Sequence, residues 1–275
     1  MENDQTIKIL SDFSEAALAK AIEDNICELL RLFKLLPGGE VHDDPDLFWS
    51  ITDIPFPLLN SLTRARFTDE TVESRIDEVV THYKKRNVPL LWWIGPSSTP
   101  GNLVECLEKH SFIEDGYSPG MALDLSDLYE NIHPPEGLTI ERVDDLKKLS
   151  ALCQVMSTVF HLPDFVRRAV IDLLTYNGFS IDAPMHNYLA CLDGKPVATS
   201  SVVYGAGVAG IYNIATIESA RGQGIGSAIT LAPLKEARSR GYRISVLEAS
   251  QKGFPVYSRL GFKEYCKVGQ YLLGI

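Results

Sequence analysis

Arg221-Gly222-Gln223-Gly224-Ile225-Gly226 is the stretch of this 275-residue chain whose reading decides the fold. Upstream of it, residues 209–216 (A-G-I-Y-N-I-A-T) are short, apolar and β-branched, and the turn-like Gly205-Ala206-Gly207 precedes them, so they predict a buried strand. Downstream, Ile225, Ala228, Ile229 and Ala232 recur at helical spacing until Gly241 stops the pattern after Arg240. The six residues therefore join a strand to the first turn of a helix. Unpaired N–H groups and the positive end of the helix dipole collect there, and three glycines let a phosphate approach without meeting a Cβ. Arg221 adds a permanent cation. Pro233, inside the predicted helix, predicts a kink, because a proline there removes a backbone bond and costs about 3 kcal/mol.

Spacing discriminates among phosphate-binding loops. A dinucleotide fingerprint starting at Gly222 requires glycine at position 227, where Ser227 stands, and its acidic partner is missing: Glu248 comes a few residues late. A nucleotide-binding oxidoreductase fails on that spacing. A P-loop requires Gly-Lys-Ser/Thr, which this loop lacks. A glycine-rich turn with no ligand is the other reading of these six residues taken alone.

After the helix come a predicted strand at 243–248 (R-I-S-V-L-E), a small loop, a short helix at 255–260 and Gly261-Phe262. The glycine loop resembles the R/Q-x-x-G-x-G/A loop of the GNAT superfamily, the acyl-CoA-dependent N-acyltransferases. V-Y-S-R-L-G-F (256–262) is similar to that family's second signature, with Tyr257 as its tyrosine. The two motifs stand in the family's order and spacing, and the resemblance covers about residues 138–275.

The resemblance implies an α/β fold with a mixed, mostly antiparallel central sheet flanked by helices. It also implies that the strands on either side of the loop and helix splay apart around the pantetheine arm of acetyl-CoA. Backbone amides of Gln223, Gly224, Ile225 and Gly226, beside Arg221 and Gly222, would hold the pyrophosphate. Backbone groups near Ile214 and Thr216 would pair with the pantetheine and polarise the acetyl carbonyl, an oxyanion-type stabilisation. Tyr257 would protonate the leaving thiolate, since a phenol of pKa about 10 is protonated at neutral pH. Its structural alternative is a helix tyrosine packed in the core.

Two positions depart from the family pattern. Ser250 stands seven residues before the signature tyrosine, where asparagine is common; its hydroxyl still hydrogen-bonds a pantetheine, with fewer groups. Gly210 stands where some members carry a glutamate base. Glu218, Glu248 and His186 are possible substitutes, each with a solvated or structural reading, and a water relay is another route.

Composition bounds the rest. With 45% hydrophobic and 23% charged residues the chain is globular, with room for two compact domains. No apolar run approaches the ~18 residues of a membrane span, and the polar start at residues 1–6 is unlike a signal peptide, so no membrane role and a cytoplasmic location are expected. Five cysteines without C-x-x-C spacing and six histidines without H-E-x-x-H predict neither disulfides nor a metal site. The net charge of −10 is unevenly spread. Residues 136–275 hold 15 Lys and Arg against 12 Asp and Glu, and residues 1–135 hold 11 against 24. The first balance suits a phosphate-rich cofactor; the second argues against nucleic acid.

Residues 131–137 (N-I-H-P-P-E-G) read as a linker. Beyond it a strand at 138–143, helices at 145–160 and from Asp164 to about Tyr176, and strands at 186–192 and 196–204 joined by Asp193-Gly194 lead into the glycine loop. Residues 1–130 repeat the later part of this plan. Sliding by 154 places 86–93 on 240–247, and four extra loop residues place Lys109 to Phe112 on Arg259 to Phe262. Under the same shifts Arg221, Gly224, Gly226 and Tyr257 fall on Phe67, Glu70, Val72 and Leu107, so the first half is expected to be a degenerate, cofactor-free copy that helps form the acceptor site. Ahead of it, residues 14–36 predict a packed helix with Leu18, Ile22, Ile26, Leu29, Leu30 and Phe33 on one side, Ser11, Asp12 and Ser14 being rival caps.

The expectation is thus a two-domain chain, 1–130 and 138–275. It would be an N-acetyltransferase moving an acetyl group from acetyl-CoA directly to a small-molecule amine, with one cofactor per chain. A non-catalytic CoA-binding regulatory module is the alternative. Acceptor, acyl length and oligomeric state are not legible at this level.

Overall fold

The computed structural model describes residues 8–274, so the polar start at residues 1–6 lies outside the described residues. Helix α1 (Glu15–Arg31) opens the chain. Of the rival caps Ser14 is the one used, its Oγ accepting from Ala17 N at 3.3 Å, while Asp12 accepts from Ser14 N at 2.9 Å. The α-helix ends earlier than the apolar pattern, at Arg31, and one 3-10 turn (Leu32–Leu35) continues it. The first half then runs β1 (Glu40–Asp43), β2 (Phe48–Ile51), β3 (Ser61–Thr63), α2 (Val72–Arg86), β4 (Leu90–Ile94), α3 (Leu103–Lys109) and β5 (Ile113–Asp124). The second runs β6 (Leu138–Arg142), α4 (Leu146–Phe160), α5 (Asp164–Asn177), β7 (Met185–Leu192), β8 (Lys195–Gly205), β9 (Val208–Thr216), α6 (Ile225–Ser239), β10 (Ile244–Glu248), α7 (Phe254–Leu260) and β11 (Lys263–Leu273). Asp193 and Gly194 close the β7–β8 hairpin at φ 50° and 75°, the left-handed pair that a two-residue turn requires. Helix α6 continues unbroken through the buried Pro233.

All eleven strands form one sheet, in the order β1-β2-β3-β4-β11-β5-β10-β9-β8-β7-β6. Pairing is antiparallel except at β3–β4 and β9–β10. The two parallel pairs are related by the repeat: Leu91 on β4 pairs with Ser61, and Ser245, 154 residues later on β10, pairs with Ala209. The halves trade their last strands. β11 of the second half lies against β4 of the first, and β5 of the first lies against β10 of the second, with β5 and β11 paired over nine residues at the centre. The two sequence halves therefore share one continuous sheet.

Helices cover both faces. α1, α4 and α5 bury one face against Val203, Val208, Ile244, Val246, Ala122 and Val268. The other face carries two separate cores, α6 and α7 over Tyr204, Ile211 and Leu247, and α2 and α3 over Leu62, Leu90 and Trp92. Among the described residues no helix is long and apolar enough to cross a membrane, no group of acids, histidines and cysteines is arranged to hold a metal, and all five cysteines are free.

Candidate functional site

The parallel ladder between β9 and β10 holds only two residue pairs, Ala209 with Ser245 and Gly210 with Val246; beyond them the strands diverge. Asn213, at φ 53°, puts a left-handed residue into β9 where its register against β8 slips, which turns Ile214 to Thr216 away from the ladder. The gap opens into a cavity of about 520 Å³. Ile214, Thr216, Arg221, Gly222, Gly224, Gly226, Ser250 and Tyr257 all line it, so eight of the ten residues singled out from sequence converge here. The other two do not face it. Ile225 is buried in the core under α6, and the Gln223 amide donates to Ser219 O at 3.3 Å on the surface.

The glycine loop leaves the first turn of α6 open. Gly224 is the N-cap, at φ +79°, and no side chain caps the helix. A Cβ on Gly226 would find its nearest neighbour outside the helix backbone, Thr216 Oγ1, at 3.8 Å, so no other part of the chain crowds that glycine. Arg221 is anchored by Nε donating to Thr216 O at 3.1 Å. Lys252 and Arg259 join it around the cavity, whose lining contains no carboxylate. Three cations facing an uncapped helix N-terminus form an anion site. Spacing from Tyr257 could have found Arg259, on the same short helix; Val159 and Phe160, which reach the cavity from α4, carry no local signal and are brought in by tertiary packing.

Tyr257 lines the same cavity and is 8% exposed. Gly253 makes room for it, since a Cβ there would meet the ring at 2.7 Å. Burial pushes the phenol up to about 12, so it stays protonated throughout the physiological range. Ser250 Oγ accepts from Gly253 N at 3.1 Å and so turns the chain into α7.

In the first half the corresponding gap is closed by the chain itself. After Leu62–Trp92 the β3–β4 ladder also ends, but Thr99 folds back into the space: its N–H donates to Ala65 O at 2.8 Å, its carbonyl accepts from Phe67 N at 3.2 Å, and its hydroxyl donates to Phe67 O at 3.0 Å. Phe67, at the position of Arg221, is buried edge-on to Trp92, and α2 starts without glycine behind an exposed Glu70.

On the α1 face, Asn25 sits over Gly210, where any Cβ would collide with its Oδ1, and the same oxygen accepts from Tyr212 OH at 2.9 Å. His186 is tied up elsewhere: its Nδ1 donates at 2.6 Å to Glu236, which also accepts from Tyr188 and Tyr204 hydroxyls. Burial alone would raise the Glu236 carboxyl, but those bonds and His186 outweigh it and hold it at about 2. Glu218 lies by a second, larger depression of about 700 Å³ along α4, walled by Ala151, Val155, Pro196 and Ile217, where no cations converge. None of His186, Glu218 and Glu248 lines the 520 Å³ cavity. Glu248 stands at the end of β10, where burial raises its carboxyl to about 8, offset only in part by its own backbone.

Residues 151–262 match the acetyltransferase (GNAT) family. No curated protein matches the chain in sequence. Among solved structures, a GCN5-related N-acetyltransferase from Kribbella flavida superposes with a TM-score of 0.71 at 17% identity, covering 93% of this chain and 95% of that one. A tandem GNAT protein from the clavulanic acid biosynthesis pathway superposes with a TM-score of 0.63 at 13% identity, covering 94% of each. A GCN5-related N-acetyltransferase from Sphaerobacter thermophilus gives 0.61 at 19% identity, covering 83% of this chain and 76% of that one.

Proposed function

Because residues 151–262 are a GNAT-family domain within a tandem GNAT fold, we propose that this protein is an N-acetyltransferase that moves an acetyl group from acetyl-CoA directly to a small-molecule amine. The observation that carries the reading is the gap between β9 and β10, which ends on the uncapped, cation-ringed N-terminus of α6 and has a protonated phenol in its wall. The pyrophosphate would sit on the amides of Gly224 to Gly226 with Arg221, Lys252 and Arg259 around it, and the pantetheine would lie along Ile214 to Thr216 with Ser250 opposite. Tyr257 would give its proton to the departing sulfur. Residues 138–275 would bind the cofactor, residues 131–137 would link, and residues 1–130 would be a degenerate copy whose own gap Thr99 has filled. The first half then supports the acceptor side through α1, which packs on β8, β9 and β10.

The test is thiol release from acetyl-CoA across an amine panel, together with calorimetric titration of CoA. One CoA per chain and amine-dependent release are expected, with Tyr257→Phe lowering turnover about 100-fold while CoA affinity holds. Binding without amine-dependent release would favour a CoA-holding regulatory module instead. Full turnover in Tyr257→Phe would remove the acid role.

A further inference from the structure

Helix α1 is fastened to the first half, with Arg31 Nη2 donating to Asp43 on β1 at 2.5 Å and Glu23 lying against Gly95 just past the end of β4. One of its side chains reaches into the second half. Asn25 is fully buried. Its Nδ2 donates to Val203 O at 3.3 Å and Gly205 O at 3.1 Å on β8, and its Oδ1 accepts from Tyr212 OH at 2.9 Å on β9. That oxygen stands 1.7 Å from where a Cβ on Gly210 would be, so only glycine fits beneath it. A buried amide is costly unless it is paired, and this one is paired with strands of the other half.

These bonds end one residue short of the bulge that opens the cofactor gap. Before Asn213 the even-numbered residues of β9 face α1: Val208 lies in that core, while Ala209 and Ile211 lie in the core under α6. After it, Ala215 lies in the α1 core and Ile214 packs on the α6 side, so the extra residue exchanges the two faces of the strand. From β8, Thr199 Oγ1 donates to Asn213 O at 2.8 Å, and Asn213 Nδ2 donates at 3.2 Å to Ser201 Oγ, which donates to Asn187 Oδ1 at 2.7 Å. From α1 the bulge is held through Tyr212, and Tyr212 through Asn25. Of these residues Asn25 alone comes from the first half.

Resting on the reading of this gap as a CoA site, we infer that Asn25 is a positioning residue through which the first half sets the cofactor affinity of the second. With Tyr212 fixed at its hydroxyl, the strand changes faces at Asn213, and Ile214 to Thr216 are presented to the pantetheine. Without that bond β9 is held at the bulge from β8 alone, and CoA must supply the ordering that α1 otherwise supplies. The coupling runs both ways. If α1 favours the bound form of the gap, bound CoA strengthens the docking of α1 by the same factor.

The experiment measures CoA affinity by calorimetry and amide exchange across α1 by mass spectrometry. It compares wild type, Asn25→Ala, Tyr212→Phe, the double variant and Ile26→Val. Ile26 is buried in the apolar core next to Asn25, and its truncation loosens α1 without removing the bond to Tyr212. Asn25→Ala and Tyr212→Phe should each weaken CoA at least about fivefold, and the double variant no more than Asn25→Ala alone, because both changes break one bond. KM for acetyl-CoA should rise with the loss of affinity while kcat stays within about twofold. Ile26→Val should keep wild-type CoA affinity. CoA should slow exchange in α1 of the wild type, and that slowing should vanish in Asn25→Ala. Wild-type CoA affinity in Tyr212→Phe, which keeps the ring and its packing, overturns the inference even if Asn25→Ala fails to fold. So do effects that multiply in the double variant, an equal loss of affinity in Ile26→Val, or α1 exchange that ignores CoA. A wild type that binds no CoA overturns the CoA reading, and this inference with it.

Discussion

Replacing Glu248 by glutamine should stabilise the protein at alkaline pH, by an amount that grows with pH. A carboxyl raised from 4.5 to about 8 is held in its neutral form by the folded state, because burial opposes the charge. Folded-state proton binding stabilises fully below 4.5, and the contribution is lost as pH rises through 8. At about 1.4 kcal/mol per tenfold, the whole loss is about 5 kcal/mol, with about 3 kcal/mol gone by pH 7. Glutamine matches the neutral acid in shape and carries no charge to desolvate. Urea unfolding of both proteins at pH 4.5, 7 and 9, followed by tryptophan fluorescence and far-UV circular dichroism, should therefore show no difference at pH 4.5. The variant should be ahead by about 3 kcal/mol at pH 7 and by about 5 kcal/mol at pH 9. Stability profiles that run parallel from pH 4.5 to 9 would refute the claim that Glu248 is buried against its charge. Such a result would be independent of any activity measurement.

Glu236 should behave in the opposite sense. Its carboxyl is lowered to about 2, so its contribution is present above 4.5 and is lost as pH falls towards 2. Glu236→Gln should cost about 2 kcal/mol at neutral pH, the part left after screening by the solvent that reaches the carboxyl, and should lose that part of the acid-denaturation profile. Identical acid profiles would sink the His186–Glu236 account. Two glycine substitutions should separate folding from binding. Gly226→Ala meets nothing closer than 3.8 Å and should leave the melting temperature unchanged while weakening CoA about tenfold or more; Gly224→Ala, at φ +79°, should cost about 1–2 kcal/mol of stability. CoA affinity unaltered in Gly226→Ala would place the phosphate elsewhere.

The loop, the helix it opens and the tyrosine on the short helix past β10 were legible in the sequence because each has a local cause. Glycine needs no neighbour to adopt φ +79°, and a β-branched run followed by a helical period declares its own geometry. The same locality made the β7–β8 hairpin and its Asp193-Gly194 turn readable. Phe67 and Leu107 marked the first half as lacking the loop and the phenol, but the closure by Thr99 was not visible, since it depends on a backbone meeting between residues over thirty positions apart. Val159, Phe160 and Lys252 escaped for a related reason: their place in the cavity is set by packing of α4 and the loop before α7, not by any spacing. Strand order was equally hidden. A strand such as β5 has the same alternation whichever β10 or β4 neighbour it takes, so the exchange of last strands leaves no trace in periodicity.

That exchange has a consequence for how the chain can be taken apart. Cutting in residues 131–137 would divide the sequence at its clearest boundary, yet each fragment would carry a terminal strand that belongs in the other's sheet and would expose the edge that strand covers. Two such fragments are built to recombine, as a swapped dimer does, and the linker makes that pairing intramolecular and so independent of protein concentration. On the proposed reading the first half would then be the permanent dimer partner of the second, tethered at unit stoichiometry and freed from keeping a cofactor of its own.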